Sequence, residues 1–444
     1  MIATLDVLVV GSDEASLCAA ACAARGGARV GLLRSKPEGK RQSGASVSAV
    51  PNAVWRRLDL QDHGVSLEPV SARVSLMDDG ESVTTYPSVR QTGAALAANG
   101  AKDHLLWSSF VDDMACLHST ADLNDAVTGS PNGVAPLTGL LENPRRLAAV
   151  GQLTGTCADL LDDFFSDDRL KAHLAACSVG RAGLGGRELG AALEVPQSLD
   201  DGAWRMRSTS DGASLYAVLE KICTDSGVEH FEGALVSVSA EGGKHKTVDI
   251  TGGVRLKSRC VFFATPEAAA SAGIETPASP LTAENKVTAS MRFKLRKSVK
   301  PPAADKDAIF FILDNIDDLQ TARDCVVDGQ LPESLPVEFE FARNGDLIAR
   351  TNYCPKVFRE EGEWRDWTGQ DRQAVAARIT QRLASRMSAL PAAIKKSKIE
   401  FIGAHEPDRN TPTLASPELV VIQPSHHNTI GAAVQLLDRV LAHG

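Results

Sequence analysis

The run Leu5-Asp6-Val7-Leu8-Val9-Val10-Gly11-Ser12-Asp13-Glu14-Ala15-Ser16-Leu17 constrains this chain more than any other stretch. An apolar strand ends at a glycine, a helix of small residues follows, and a second apolar strand, Ala28 to Leu33, comes next. That order is the opening βαβ unit of a dinucleotide-binding domain. The phosphate turn of such a unit, G-x-G-x-x-G, uses glycine three times: for the tight turn, for backbone approach to the pyrophosphate, and for packing of helix against strand. Here Gly11 is kept, while Asp13 and Ser16 stand in the other two places. Asp13 and Glu14 put two carboxylates at a helix N-terminus that otherwise attracts an anion. The acid expected at the end of the second strand, where it would hold ribose hydroxyls, is replaced by Arg34.

A chain of 444 residues, 43% of them hydrophobic, is long enough for one large α/β body or two to three domains with a substantial core. A net charge of −9, with no basic run interleaved with aromatics, argues against nucleic acid and anionic membranes as partners. The first strand begins within a few residues of the N-terminus and no apolar stretch reaches the length of a membrane span, so a cytoplasmic protein without signal peptide or transmembrane segment is expected. Nine cysteines are scattered without C-x-x-C or zinc spacing. They read as reduced, buried small hydrophobes, Cys18 and Cys22 among them on the small-residue helix, and no metal is expected.

Further along, a helical segment starting near Pro51 carries Trp55, Leu58 and Leu60, and residues 65 to 86 alternate apolar and polar around a turn at Asp79-Gly80, the pattern of a β-hairpin. Residues 88 to 178 read as helical, interrupted by a loop at Thr128 to Pro136. Lys286 to Leu295 and Val337 to Phe341 alternate again, which predicts an antiparallel sheet within 286 to 313 and 336 to 352. Val375, Ile379, Leu383 and Met387, at four-residue steps, predict a helix over Ala374 to Leu390 docked on that sheet.

Four segments, in order, carry a family resemblance: Cys157 to Ala175; Asp211 to Leu219 with Ser226-Gly227-Val228-Glu229; Ala234 to Val238; and Val254 to Ala264 running into Thr265-Pro266. The chain resembles the phytoene-desaturase-like FAD-dependent oxidoreductases, in the branch called pyridine nucleotide-disulphide oxidoreductase domain 2. The resemblance implies an α/β fold: a Rossmann-like FAD/NAD(P)-binding domain of residues 1–75, 205–275 and 400–444, with an inserted α+β substrate-type domain of 76–204 and 276–399. It also implies that Val236 contacts the flavin's adenine through its backbone, and that a glycine-rich turn near the C-terminus caps the cofactor. In this chain that turn is shortened to Gln423-Pro424-Ser425-His426-His427-Asn428-Thr429-Ile430-Gly431, and a usual Gly-Gly pair has become Asp211-Gly212.

If a dinucleotide binds at all, its expected contacts are Gly11, Ser12, Asp13, Ser16, Arg34, Val236 and Gly431. Three flavin-contacting stretches are altered together, each at a cost of about 1–3 kcal/mol, or tenfold or more in affinity. The reading that follows is a flavoprotein fold without flavin chemistry, a binding or assembly subunit that partners an active enzyme. The alternative is an FAD-dependent oxidoreductase that holds its cofactor through altered loops and moves a hydride from a C–H or C–N bond.

Arg34 with Lys36, Lys40 and Arg41 suits a 2′-phosphate of NADP, a different anionic small-molecule ligand in the cleft, an acidic partner surface, or a solvated basic loop, the last being favoured. His426 and His427 fall at the end of the last strand, where acid–base work could be placed, but no partner can be assigned to them. Trp204, Arg205 and Arg207 lie near the expected cleft. Asp162-Asp163 and Asp167-Asp168 read as the solvated face of one helix around Phe164-Phe165, and Gly180 to Gly190 as a loop. No catalytic residue is assigned.

Overall fold

The structure is a computed structural model. It describes residues 4–12, 14–34, 52–65, 67–100, 102–119, 152, 154–199, 206–208, 215–239, 245–263, 286–296, 299, 302, 307–342, 345–402 and 420–421. In chain order the strands are β1 (Thr4–Val10), β2 (Val30–Arg34), β3 (Leu67–Pro69), β4 (Arg73–Leu76), β5 (Ser82–Thr85), β6 (Met206–Ser208), β7 (Glu229–Glu232), β8 (Leu235–Ser239) and β9 (Lys246–Ile250). They continue as β10 (Val254–Phe263), β11 (Lys286–Leu295), β12 (Ile309–Ile312), β13 (Val337–Phe341), β14 (Leu347–Pro355), β15 (Phe358–Glu360), β16 (Glu363–Arg365), β17 (Ile394–Ile402) and β18 (Val420–Val421). Two compact units result, each assembled from separate stretches: Met1–Pro69 with Arg205–Ser279 and Glu406–Gly444, and Val70–Trp204 with Pro280–His405.

The first unit is organised by β1. Its neighbours β2 and β10 are both parallel to it, β7 extends the sheet beyond β2, and β18 pairs with β10 in parallel; β9 and β8 complete the other side antiparallel. Because strand side chains alternate, Val7 and Val9 enter one apolar cluster with the helices Glu14–Arg25 and Leu215–Asp225, while Leu8 and Val10 enter another with Val248, Val261 and Phe263. The helix Glu14–Arg25 is almost all Ala, Cys and Ser on its buried side, and Ala15 through Ala23 are buried without a break. Gly31 answers a similar need for closeness: a Cβ there would lie 2.5 Å from Leu5 Cδ1 and 3.0 Å from Leu8 Cδ1.

The second unit holds a sheet ordered β17-β11-β14-β13-β12-β4-β5. The β4–β5 hairpin turns through Asp79-Gly80, with Gly80 at φ 85°. The strands within 286–313 and 336–352 pair antiparallel, β11 with β14, β12 with β13 and β13 with β14; β4 of the hairpin joins this sheet in parallel beside β12, a pairing with a distant stretch of chain that its own alternation cannot announce. The helix Gly369–Arg386 buries Val375, Ile379 and Leu383 and packs on β11 through β14. Its N-terminus is closed by a Thr368–Asp371 capping box, and Arg365 grips the same carboxylate at 2.7 and 3.0 Å.

The single helix read over Cys157 to Ala175 is two. Cys157–Phe164 ends at Phe165, and Asp167 caps Asp168–Ala175 by accepting from the amides of Arg169 and Leu170. Asp103 fixes the break by accepting from Ser166 N, Ser166 Oγ and Asp167 N, and Phe165 turns into the core against Phe110. Asp167 is therefore a helix cap rather than part of a continuous solvated face. The loop expected at Thr128 to Pro136 lies outside the described residues. Among the described residues no helix is long and apolar enough to cross a membrane.

Candidate functional site

The strand–turn–helix of the first unit forms as the sequence lays it out. Gly11 has φ 148°, in the range that favours glycine, and its amide donates to Leu33 O at 3.0 Å, tying the turn to the end of β2. Ser12 follows half-buried, and Ser16 is fully buried in the helix, where a small side chain permits close packing. Asp13 lies outside the described residues, as do Lys36, Lys40, Arg41, Trp204, Arg205, Asp211, Gly212, Thr265, Pro266, His426, His427 and Gly431. Arg207 is in β6, paired with Glu68 of β3. Val236 sits at a bulge between β8 and β9, 44% exposed.

Arg34 is where the structure corrects the sequence most directly. It is not part of a solvated basic loop. The last residue of β2, it forms an ion pair with Glu220 of the helix Leu215–Asp225, and its second nitrogen meets His230 Nδ1 of β7 at 3.0 Å. Burial and the Arg34 charge both lower His230, keeping the imidazole neutral so that Nδ1 accepts this hydrogen bond. The position that in a dinucleotide-binding unit presents an acid to ribose hydroxyls instead presents a cation already engaged by two groups. The end of β2 thus carries no acid for ribose hydroxyls, while the turn before the helix keeps the first glycine, Gly11.

Sequence reading missed the charged interior of the second unit. Arg181 Nε lies 3.2 Å from Glu338 Oε2, and Arg350 Nη1 lies 3.5 Å from Glu338 and 3.0 Å from Glu340. Glu338 and Glu340 are 9% and 1% exposed. Asn352 Nδ2 donates to the Arg181 carbonyl at 2.7 Å, and its oxygen accepts from Thr288 of β11, so β14 positions the backbone at Arg181. Beside this cluster His173 is enclosed by Ser75 Oγ at 2.7 Å and Thr85 Oγ1 at 2.9 Å. Burial, with Arg73 adding repulsion, lowers His173 to about 3. Burial also raises the Cys177 thiol to about 12. A neutral imidazole with both nitrogens engaged and a protonated thiol supply neither a general base nor a nucleophile at neutral pH. The alternation of Val337-Glu338-Phe339-Glu340-Phe341 was the available signal, but nothing in it says that the polar face would be covered.

The glycine-rich loop packs rather than cradles. A Cβ on Gly185 would lie 2.3 Å from Gln320 Oε1, and one on Gly186 would lie 2.7 Å from Ile316 Cγ1 and 2.9 Å from its carbonyl, both on the helix Ile316–Val327. Tyr353 holds the same loop by donating to Leu184 O at 2.8 Å. Eight cysteines are described as free thiols, seven of them buried. Among the described residues no group of three or more His, Cys, Asp or Glu side chains could hold a metal.

No family model matches the sequence, and no match to a curated protein was found. Solved structures do match along the whole length. A double mutant of putrescine oxidase redesigned in its cofactor binding aligns over 99% of both chains with TM-score 0.55 and 14% identity. The wild-type putrescine oxidase bound to putrescine aligns over 99% of this chain and 98% of its own, with TM-score 0.54 and 14% identity. A Rab GDI from Plasmodium falciparum covers 98% of both chains with TM-score 0.50 and 8% identity. At these identities the likeness shows the fold: a mixed α/β, Rossmann-like flavoprotein architecture with an inserted α+β part.

Proposed function

We propose that this chain is a binding or assembly protein on a flavoprotein fold, working with a protein partner rather than turning over a substrate through FAD. One observation carries the reading: Arg34, at the position that reads the ribose, is neutralised by Glu220 and hydrogen-bonded to His230. To serve a dinucleotide, that end of β2 would need an acceptor for ribose hydroxyls, and to serve a 2′-phosphate it would need a cation not already committed. Asp13 and Glu14 in the sequence add charge of the wrong sign for a pyrophosphate. The buried histidine and thiols of the second unit offer no catalytic group in compensation. A fold shared with a Rab GDI, a protein named for a protein client, supports a partner-binding role.

A second reading, an FAD-dependent oxidoreductase of the phytoene-desaturase-like or amine-oxidase-like kind, is favoured by a specific feature. Gly11 is kept at the first motif position, with φ 148°, and putrescine oxidase aligns over 99% of the chain. The test is direct. Purified protein is saturated with FAD, desalted, and its bound flavin measured by absorbance and by mass spectrometry of the denatured supernatant. No retained flavin is expected; flavin retained at one per chain would overturn the proposal in favour of the enzyme.

A further inference from the structure

The sheet of the second unit carries four cations on two adjoining strands. In β11 the residues Val287, Ala289, Met291 and Phe293 are buried, and by strand alternation Arg292 and Lys294 lie on the opposite face. Strand β17 runs antiparallel beside β11, with Arg292 opposite Lys398 and Lys294 opposite Lys396. Lys294, Lys396 and Lys398 are exposed, and the Arg292 side chain is 30% exposed. Like charges directly opposite each other across a ladder destabilise it. Here two such pairs stand side by side in a chain whose net charge is −9.

Nearby acids do not cancel this charge. Asp346 lies 4.0 Å from Arg292, and among the described residues neither Lys294 nor Lys396 has an ion-pair partner. Lysines on a sheet edge commonly keep foreign strands away, and β17 is such an edge: among the described residues its one strand neighbour is β11. That role accounts for Lys396 and Lys398. It does not account for Arg292 and Lys294, which lie on β11 between β14 and β17. A cationic face beside a strand edge suits a partner that brings both negative charge and backbone hydrogen bonds. An extended acidic segment does so, because its alternate carboxylates repeat at the two-residue spacing of Lys396 and Lys398. A second copy of this chain would bring the same cations and be repelled. An anionic bilayer supplies charge but no strand to pair with β17.

We propose that the β11–β17 face binds an extended acidic segment of a partner protein, which adds as a strand to β17 and sets alternate carboxylates against Lys396 and Lys398, with Arg292 and Lys294 behind them strengthening the attraction. This surface deepens the partner-binding reading and rests on it. It belongs to the second unit, whereas flavin retention reports on the first, so the two results can fail separately.

The probe is a short, end-blocked, fluorescein-labelled peptide of alternating glutamate and valine, titrated with the full-length protein and followed by fluorescence anisotropy at low salt and again at physiological ionic strength. A saturable rise that weakens with salt is expected. A peptide with glutamine for glutamate should bind tenfold or more weakly, and so should one of unchanged charge with a central proline, which interrupts the ladder. Lys396→Gln combined with Lys398→Gln should weaken the glutamate peptide tenfold or more, and Lys294→Gln about threefold. Lys221→Gln, at an exposed lysine of the first unit, should change nothing. The substituted side chains are exposed, and circular dichroism checks that each variant is folded. Absence of saturable binding, equal affinity for the glutamine or proline peptide, or unchanged affinity in the folded lysine variants would each overturn the assignment. Sedimentation with phosphatidylserine vesicles in place of peptide binding would overturn it in favour of a lipid surface, and a dimer lost in the lysine variants would do so in favour of a second copy of this chain.

Discussion

Strands β1 and β13 are both buried, yet they hide different chemistry. From Val7 to Val10 β1 is apolar on both faces, and its alternate side chains join two separate hydrophobic clusters. In β13 all five residues are buried as well, but two of them are Glu338 and Glu340, held by Arg181 and Arg350. The first arrangement draws stability from area removed from water. The second takes ions out of water and recovers the loss only through close pairing, so apolar residues of similar size would often be as stable or more so. The two strands therefore differ in what a substitution would disturb: contact area in β1, and the balance of paired charges in β13.

The largest expected effect tests that contrast. Arg350→Leu leaves Glu338 and Glu340 without their shared cation and should cost about 3–5 kcal/mol of unfolding free energy in urea titration. The double variant Glu340→Leu with Arg350→Leu should recover most of that loss, because Glu338 keeps Arg181. Equal losses in the single and double variants would show that packing, not charge, dominates at β13.

Next comes pH. His173 is lowered to about 3 in the fold, whereas an unfolded imidazole takes up a proton near 6.5. Its contribution is therefore fully present above about pH 6.5 and is lost as pH falls towards about 3, by up to about 1.4 kcal/mol per pH unit. His173→Gln, which can still meet Ser75 and Thr85, should remove that slope between about pH 6.5 and 5, where most carboxylates remain ionised. Parallel slopes for the two proteins would locate the acid sensitivity elsewhere. The smallest effect belongs to the apolar sheet. Gly31→Ala pushes a methyl against Leu5 and Leu8 and should cost about 1–3 kcal/mol, independent of pH; a pH-dependent loss there would blur the contrast between the sheets.

What the sequence made legible follows from the range of each signal. The apolar run from Leu5 to Val10, the small-residue helix and the Asp79-Gly80 hairpin are local patterns, and the structure forms them. The four-residue spacing of Val375, Ile379 and Leu383 placed the docked helix for the same reason. Arg34 could not be read correctly, because Glu220 and His230 lie far along the chain and nothing around Arg34 announces them. The break after Phe164 was hidden because it depends on Asp103, brought in from a distant turn. Alternation in β13 identified a strand with two faces, but a period of two cannot state that Arg181 and the helices before it will cover the polar one.

The seam between β4 and β12 has a consequence in time. During synthesis, at about 5–20 residues per second, β4 waits roughly 10–50 s for its neighbour, which emerges about 230 residues later. For that interval one edge of the newborn hairpin is open to other chains. Arg73, the first residue of β4, ends up 1% exposed in the finished sheet, but on the ribosome it is a charge on an unfinished edge, the kind of residue that discourages strands of neighbouring polypeptides from pairing there.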